Sequence, residues 1–223
     1  MSSGKGEELP DPRQRWAGGG AGERYQTRRW TSRRKRERDP AIVRRLLRAA
    51  GMRKGSVLDV PCGAGRLRPA LESLRLSYTG VDVSGPMLAA ARDAASPASN
   101  ARFLRADVLS LPFPDASFDA VVCCRLLHHF DRREDMEATV RELVRASRRL
   151  VVASFWDAAS LAGLRRHFRR RRSGRHPCPR SEIAAAFEAA GARVLRYRST
   201  CRFITMQTHV LAEKEPSEPA PGR

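Results

Sequence analysis

An α/β fold, a parallel sheet covered by helices on both faces, is predicted by three features of this 223-residue sequence. Short apolar runs alternate with amphipathic segments of helical period, in the manner of βαβ units. The run Val121-Val122-Cys123-Cys124 is continuously apolar, as a strand covered on both sides requires. Two glycines, Gly63 and Gly65, directly follow the first apolar run, where a strand passes into a helix.

Each element follows from its own signals. Asp39 as N-cap, with Pro40 at the first helical position, opens a helix that carries Ile42, Val43, Leu46 and Leu47 on one face and ends at Gly51. Residues 56–60 read as a short buried strand, 67–74 as a helix, 77–83 as a strand and 86–94 as a helix capped by Ser84. A third strand is expected over 102–108 and a fourth over 120–124. A helix over 136–146 and a fifth strand over 150–155 follow. Ser181 then caps a helix to Ala190 that Gly191 closes. Residues 193–198 and 203–212 form a last, antiparallel pair of strands.

Charge is distributed unevenly over this plan. The 43 Lys+Arg exceed the 24 Asp+Glu by 19. Residues 1–54 carry 16 basic and 6 acidic side chains, and residues 158–181 carry 8 basic and none acidic, whereas residues 55–157 balance at 13 of each. A neutral core thus bears two basic appendages. Residues 1–38 are expected as a basic, largely disordered arm, 39–213 as the domain with 158–181 as a basic, lid-like segment, and 214–223 as a disordered tail. No apolar run approaches the roughly 20 residues that cross a bilayer. The polar N-terminus lacks the apolar stretch of a secretory signal. The five cysteines are odd in number and form no C-x-x-C pair, so neither a disulfide framework nor a zinc site is indicated. A soluble, cytoplasmic protein is the expectation.

In an open α/β sheet the ligand lies at the carboxyl ends of the strands. The first strand ends in Leu58-Asp59-Val60-Pro61-Cys62-Gly63-Ala64-Gly65-Arg66. The glycines let a ligand approach the backbone closely. Asp59 would repel a pyrophosphate, Arg68 replaces the third glycine of G-x-G-x-x-G, and the G-K-[ST] ending of a phosphate loop is absent. A cationic ligand suits Asp59 instead. Asp82 ends the second strand, where a carboxylate accepts from both hydroxyls of a ribose. Asp107 ends the third, placed to accept from the exocyclic amine of a purine. A cation, a ribose and an adenine without phosphate describe S-adenosylmethionine.

The loop 58–66, Asp82, Ala106-Asp107, Ser117-Phe118-Asp119-Ala120-Val121 and Leu127-His128-His129-Phe130 together resemble the successive motifs of class I S-adenosylmethionine-dependent methyltransferases, in the ubiquinone-biosynthesis-like branch. The resemblance implies a Rossmann-like sheet of seven strands, the last inserted antiparallel. It places Asp59, Cys62, Gly63 and Gly65 by the methionine moiety and Asp82 on the ribose. Val83 and Met87 would lie against the adenine, Asp107 and Val108 at its edge, and Cys124 and Arg125 at the methionine end. The chain departs from the family pattern at Pro61, where glycine is common, and at 146–149, where a Pro-Gly-Gly turn is missing.

Methyl transfer from a sulfonium is an in-line displacement, accelerated by alignment, that needs a base only if the acceptor carries a proton. His128 and His129 follow the fourth strand, and a histidine there can take a hydroxyl or carbon-acid proton. The same pair also suits a packed helix start. Of the two, His128 is the candidate base. The expected acceptor is small or lipid-like, anionic ones included. An RNA methyltransferase using the basic arms and a catalytically silent cofactor-binding protein are the alternatives. The arginine-rich segments suit an anionic membrane surface, RNA phosphates or solvent alone. Tyr25 and Trp30, before the first helix, could cover the cofactor or anchor the arm.

Overall fold

The computed structural model describes residues 33–97, 99–130, 132–160, 176–199 and 206–216. In chain order these form α1 (Arg33–Ala49), β1 (Gly55–Asp59), α2 (Arg68–Glu72), β2 (Leu76–Asp82), α3 (Gly85–Asp93), β3 (Arg102–Arg105) and β4 (Phe118–Cys123). A short 3-10 turn, Leu127–His129, precedes α4 (Arg133–Ala146), β5 (Ser147–Trp156), α5 (Arg180–Ala189), β6 (Ala192–Ser199) and β7 (Gln207–Lys214).

The seven strands make one sheet in the order β3-β2-β1-β4-β5-β7-β6. β1 to β5 pair in parallel, and β7 is antiparallel to both β5 and β6, inserted between them. The order reverses between β1 and β4, which puts the switch point beside the glycine loop.

The two-residue period of the strands divides the core into two layers. Leu58, Val121, Cys123, Val151, Ala153, Val210 and Ala212 face α4 and α5, meeting Val140, Leu143, Ile183 and Phe187. Their neighbours Val57, Ala120, Val122, Leu150, Val152 and Leu211 face the other side, where Val43 and Leu47 of α1, Leu71 of α2 and Leu88 of α3 close the layer. The continuous apolar run at 121–124 therefore feeds both layers, with 121–123 in β4 and Cys124 just beyond its end. Among the described residues no helix is long and apolar enough to cross a membrane, and no group of His, Cys, Asp and Glu could hold a metal ion.

Several expected boundaries move. Asp39 is not an N-cap: α1 begins at Arg33, so Asp39 and Pro40 lie inside the helix. Residues 33–38, which fall within the expected arm, are helical, and the first buried side chain after them is Asp39. Pro179, not Ser181, occupies the N-cap of α5, and Ser84 occupies the N-cap of α3 without a side-chain capping bond. β3 stops at Arg105, so Asp107 does not end a strand; it sits beyond it in a bridge to Ser110, its Oδ1 accepting from the N–H of Leu109 at 3.0 Å. Tyr25, Trp30 and residues 161–175 of the basic segment lie outside the described residues, as do most of the expected N-terminal arm and the end of the tail.

Candidate functional site

The loop that leads from the carboxyl end of β1 into α2 is tied to the carboxyl end of β2 by hydrogen bonds from its backbone N–H groups. The N–H of Cys62 donates to Val81 O at 2.8 Å, and that of Gly65 donates to Cys62 O at 3.0 Å. Gly63 and Gly65 have φ of +54° and +73°, a conformation that side chains other than glycine resist. Among the described residues a Cβ on Gly63 would meet nothing within 4 Å, so the loop is open there, whereas one on Gly65 would touch Ala91 at 3.5 Å. The second glycine thus serves packing against α3, and the first serves access.

Two buried carboxylates flank this loop. Asp82, 6% exposed, accepts from Gly63 N–H through Oδ2 at 2.8 Å and from Ser84 N–H through Oδ1 at 2.9 Å. Each carboxylate oxygen can accept more than once, so these bonds fix the acid without exhausting it. Burial raises its pKa although the backbone bonds from Ser84, Gly63 and Val83 pull it down. Asp59 is wholly buried, and its Oδ2 accepts the Tyr78 hydroxyl at 2.8 Å, while Oδ1 has no hydrogen-bond partner. Burial pushes its pKa to about 7, against the Tyr78 bond and Arg66 and with some help from Asp82. A buried carboxylate with an orphaned oxygen at the mouth of a side-chain-free loop is completed by a cation or a proton.

The remaining expected contacts lie along the same edge. Val83 and Met87 continue from Asp82 into α3, with Met87 buried at 5%. Asp107 and Val108 follow β3, partly buried. The thiols of Cys62 and Cys124 pack in the layer under α1 to α3, and burial raises both pKa values far above the ordinary thiol range. Sulfur at 62 is accommodated by Gly80, where a Cβ would come within 3.0 Å of it. Both thiols are packed within the core.

His128 is buried at 3% in the turn after β4. Its ring stacks on Trp156 at the end of β5, centroids 4.6 Å apart and planes 4° apart, with His129 tilted beside it at 4.4 Å. Its carbonyl accepts the N–H of His176 at 2.9 Å, which brings the described end of the basic segment to this turn.

A second polar cluster joins Arg125, expected at the methionine end, to Asp39, Arg66 and His209, none of which is on the expected list of cofactor contacts. Asp39, fully buried in α1, accepts through Oδ2 from Arg66 Nη2 at 3.0 Å and Arg125 Nε at 2.6 Å, and its Oδ1 lies 3.5 Å from His209 Nε2. Burial would raise its pKa, but Arg66, Arg125 and His209 outweigh that and hold it below the ordinary range. His209, fully buried on β7, is pushed down to about 4 by burial despite Asp39, so it is neutral at pH 7. The Asp-Pro pair concealed this role, because it is also the signature of a helix start.

Residues 58–150 match the family model described as a methyltransferase domain. Among curated proteins, the chain is 30% identical to the O-methyltransferase cnsE of Penicillium expansum over 71% of this chain and 54% of that protein. It is 34% identical to the 27-O-demethylrifamycin SV methyltransferase of Amycolatopsis mediterranei over 56% of this chain and 49% of that one. The chain spans about half the length of these relatives. Among solved structures, the magnesium protoporphyrin IX methyltransferase (ChlM) of Synechocystis PCC 6803 with bound SAH superposes with a TM-score of 0.70 at 20% identity, covering 82% of this chain and 84% of that one.

Proposed function

We propose, from the premise that this chain carries a class I S-adenosylmethionine-dependent methyltransferase domain, that it transfers a methyl group from S-adenosylmethionine to a small-molecule acceptor. The observation that carries the reading is the pair Asp59 and Asp82, buried on adjacent strand ends with the open side of Gly63 between them. Two desolvated acids favour a cationic, phosphate-free ligand over a dinucleotide.

Asp82 would hold the ribose hydroxyls, with Val83 and Met87 against the adenine and Asp107 and Val108 at its rim. Gly63 and Gly65 would let the thioether end approach the backbone, and Asp59 would face its positive charge. When bound, S-adenosylmethionine supplies an activated methyl on a good neutral leaving group. The chain's own task is then alignment and exclusion of water. His128, held in plane by Trp156, is the residue to take the acceptor's proton where one must leave. The eight basic residues of 158–181, which follow β5, favour an acceptor that bears negative charge.

The test is calorimetric titration with S-adenosylmethionine and S-adenosylhomocysteine, followed by methylation assays on small hydroxyl and carboxyl acceptors. Saturable binding of both ligands with methylation of an acceptor supports the reading, and no binding at millimolar concentration overturns it. For His128→Asn, turnover should fall while the affinity for S-adenosylhomocysteine stays; unchanged turnover removes His128 as base. A salt-dependent KM would mark the acceptor as anionic.

A further inference from the structure

Helix α1 docks on the sheet through Val43, Leu46 and Leu47, all buried, and nothing in that contact calls for a charge. Yet Asp39 sits wholly buried in the same helix. An apolar residue would serve as a staple without the cost of desolvating a carboxylate. What Asp39 adds is a fixed orientation for two guanidiniums that come from elsewhere in the chain.

Arg66 belongs to the glycine loop after β1, and Arg125 to the first turn after β4. Their side chains are 22% and 24% exposed, and each commits one nitrogen to Asp39, Nη2 of Arg66 and Nε of Arg125. A guanidinium is planar, and a short bond to one nitrogen restricts the orientation of the whole group. Arg125 is held further. Its φ is +66°, a conformation that a residue with a Cβ keeps only when its surroundings impose it. Its N–H donates to Ser154 Oγ at 2.8 Å while its Nε donates to Asp39 at 2.6 Å, so backbone and side chain are both pinned. Asp59 and Cys124 lie close enough to feel the charges: Arg66 lowers the pKa of both, and Arg125 lowers that of Cys124. The cluster therefore lies at the β1 and β4 strand ends, on the side away from Asp82 and the ribose.

We infer that Asp39 is a positioning residue for the cofactor. Through Arg66 and Arg125 it presents a guanidinium surface to the carboxylate of the cofactor's amino-acid end and makes helix α1 part of the binding site. The inference rests on the proposed cofactor reading. It divides recognition between two ends: Asp82 and its neighbours hold the nucleoside, and the Asp39 cluster holds the amino acid.

Titration with S-adenosylhomocysteine and with 5′-methylthioadenosine, which keeps the nucleoside and the sulfur but has no amino-acid carboxylate, separates the two ends. For Asp39→Asn the affinity for S-adenosylhomocysteine should fall at least tenfold, and that for 5′-methylthioadenosine should change by less than twofold. Equal loss for both ligands would make the cluster a scaffold and overturn the inference, as would no loss for either. Should Asp39→Asn fail to fold, judged by its circular dichroism, Arg66→Gln and Arg125→Gln carry the same expectation, because their side chains are partly exposed. Wild-type protein that binds neither ligand overturns the cofactor reading itself, and this inference with it.

Discussion

Asp59 makes folding stability depend on pH in a way that one substitution can isolate. Burial raises its pKa from 3.8 to about 7 in the folded chain. Below pH 3.8 the carboxyl is protonated folded or unfolded, and it adds no pH dependence. Between about pH 4 and 7 the unfolded chain has lost this proton and the folded chain still holds it, so stability falls as pH rises. Above pH 7 both states are ionised and the loss is complete. At about 1.4 kcal/mol for each unit of pKa, the total is on the order of 4 kcal/mol. Asp59→Asn replaces the carboxyl with a neutral group of the same shape that can still accept the Tyr78 hydroxyl. Urea denaturation of both proteins at pH 5, 6, 7 and 8 should show the wild type losing about 2 kcal/mol relative to the variant between pH 5 and 7, and little more by pH 8. The offset between the two proteins at any single pH carries no weight; the slope of the difference does. A difference that stays level from pH 5 to 8, or that grows in favour of the wild type, would refute the assignment of a proton to Asp59 near neutrality. The same logic reaches binding. A cation beside Asp59 favours its ionised form, so affinity for S-adenosylmethionine should weaken below pH 7 in the wild type and not in Asp59→Asn.

Further outcomes follow from the same contacts. Tyr78→Phe removes the hydrogen bond that lowers the pKa of Asp59; the midpoint of the pH-dependent loss should move above its wild-type value, as the same denaturation series reads directly. Asp82→Asn leaves either the Gly63 or the Ser84 N–H facing an amide NH2; cofactor affinity should drop by about 1–3 kcal/mol, roughly 5- to 150-fold, and an unchanged dissociation constant would count against Asp82 as a ligand. Gly80→Ala places a Cβ 3.0 Å from Cys62 Sγ, Tyr78 Cε1 and Phe103 Cδ1; thermal unfolding should register a loss of about 1–3 kcal/mol, because neither the loop nor the strand has room to give.

Much of the sheet was legible because strands buried on both faces have few ways to be written. The run at 121–124 and the acids at 59 and 82 mark strand ends by composition alone, and both acids lie where expected. What the sequence concealed depends on partners far along the chain. Asp39 reads as a cap because Asp-Pro has a local meaning, whereas its actual partners are Arg66, Arg125 and His209, the last 170 residues away. The one hydrogen bond described for the Asp59 carboxylate comes from Tyr78, whose role is invisible until β1 and β2 are in register with Val57 beside Tyr78. Asp107 was expected at a strand end, but its own side chain bonds to Leu109 N–H and turns the chain out of the sheet.

The two departures from the family pattern are absorbed without opening the site. Proline at 61 has no N–H, but the loop needs none there: Val60 N–H donates to Val122 O at 2.9 Å, Cys62 N–H to Val81 O at 2.8 Å and Gly63 N–H to Asp82 at 2.8 Å, so the donors on either side carry the connection. The missing turn before β5 leaves α4 running directly into the strand, which would strand carbonyls at the helix end. Those carbonyls are met from other elements. Ala116 N–H donates to Arg145 O at 2.8 Å, Lys214 Nζ reaches Arg145 O and Ser147 O at 3.5 and 3.1 Å, and Ser147 N–H closes the last helical turn. The shortened junction lies at the amino end of β5, whereas Ser154, which fixes Arg125, lies near its carboxyl end. Substitution at the first departure and deletion at the second thus change how the sheet is entered and how its loop is tied, while both acids and the open face of Gly63 keep their places.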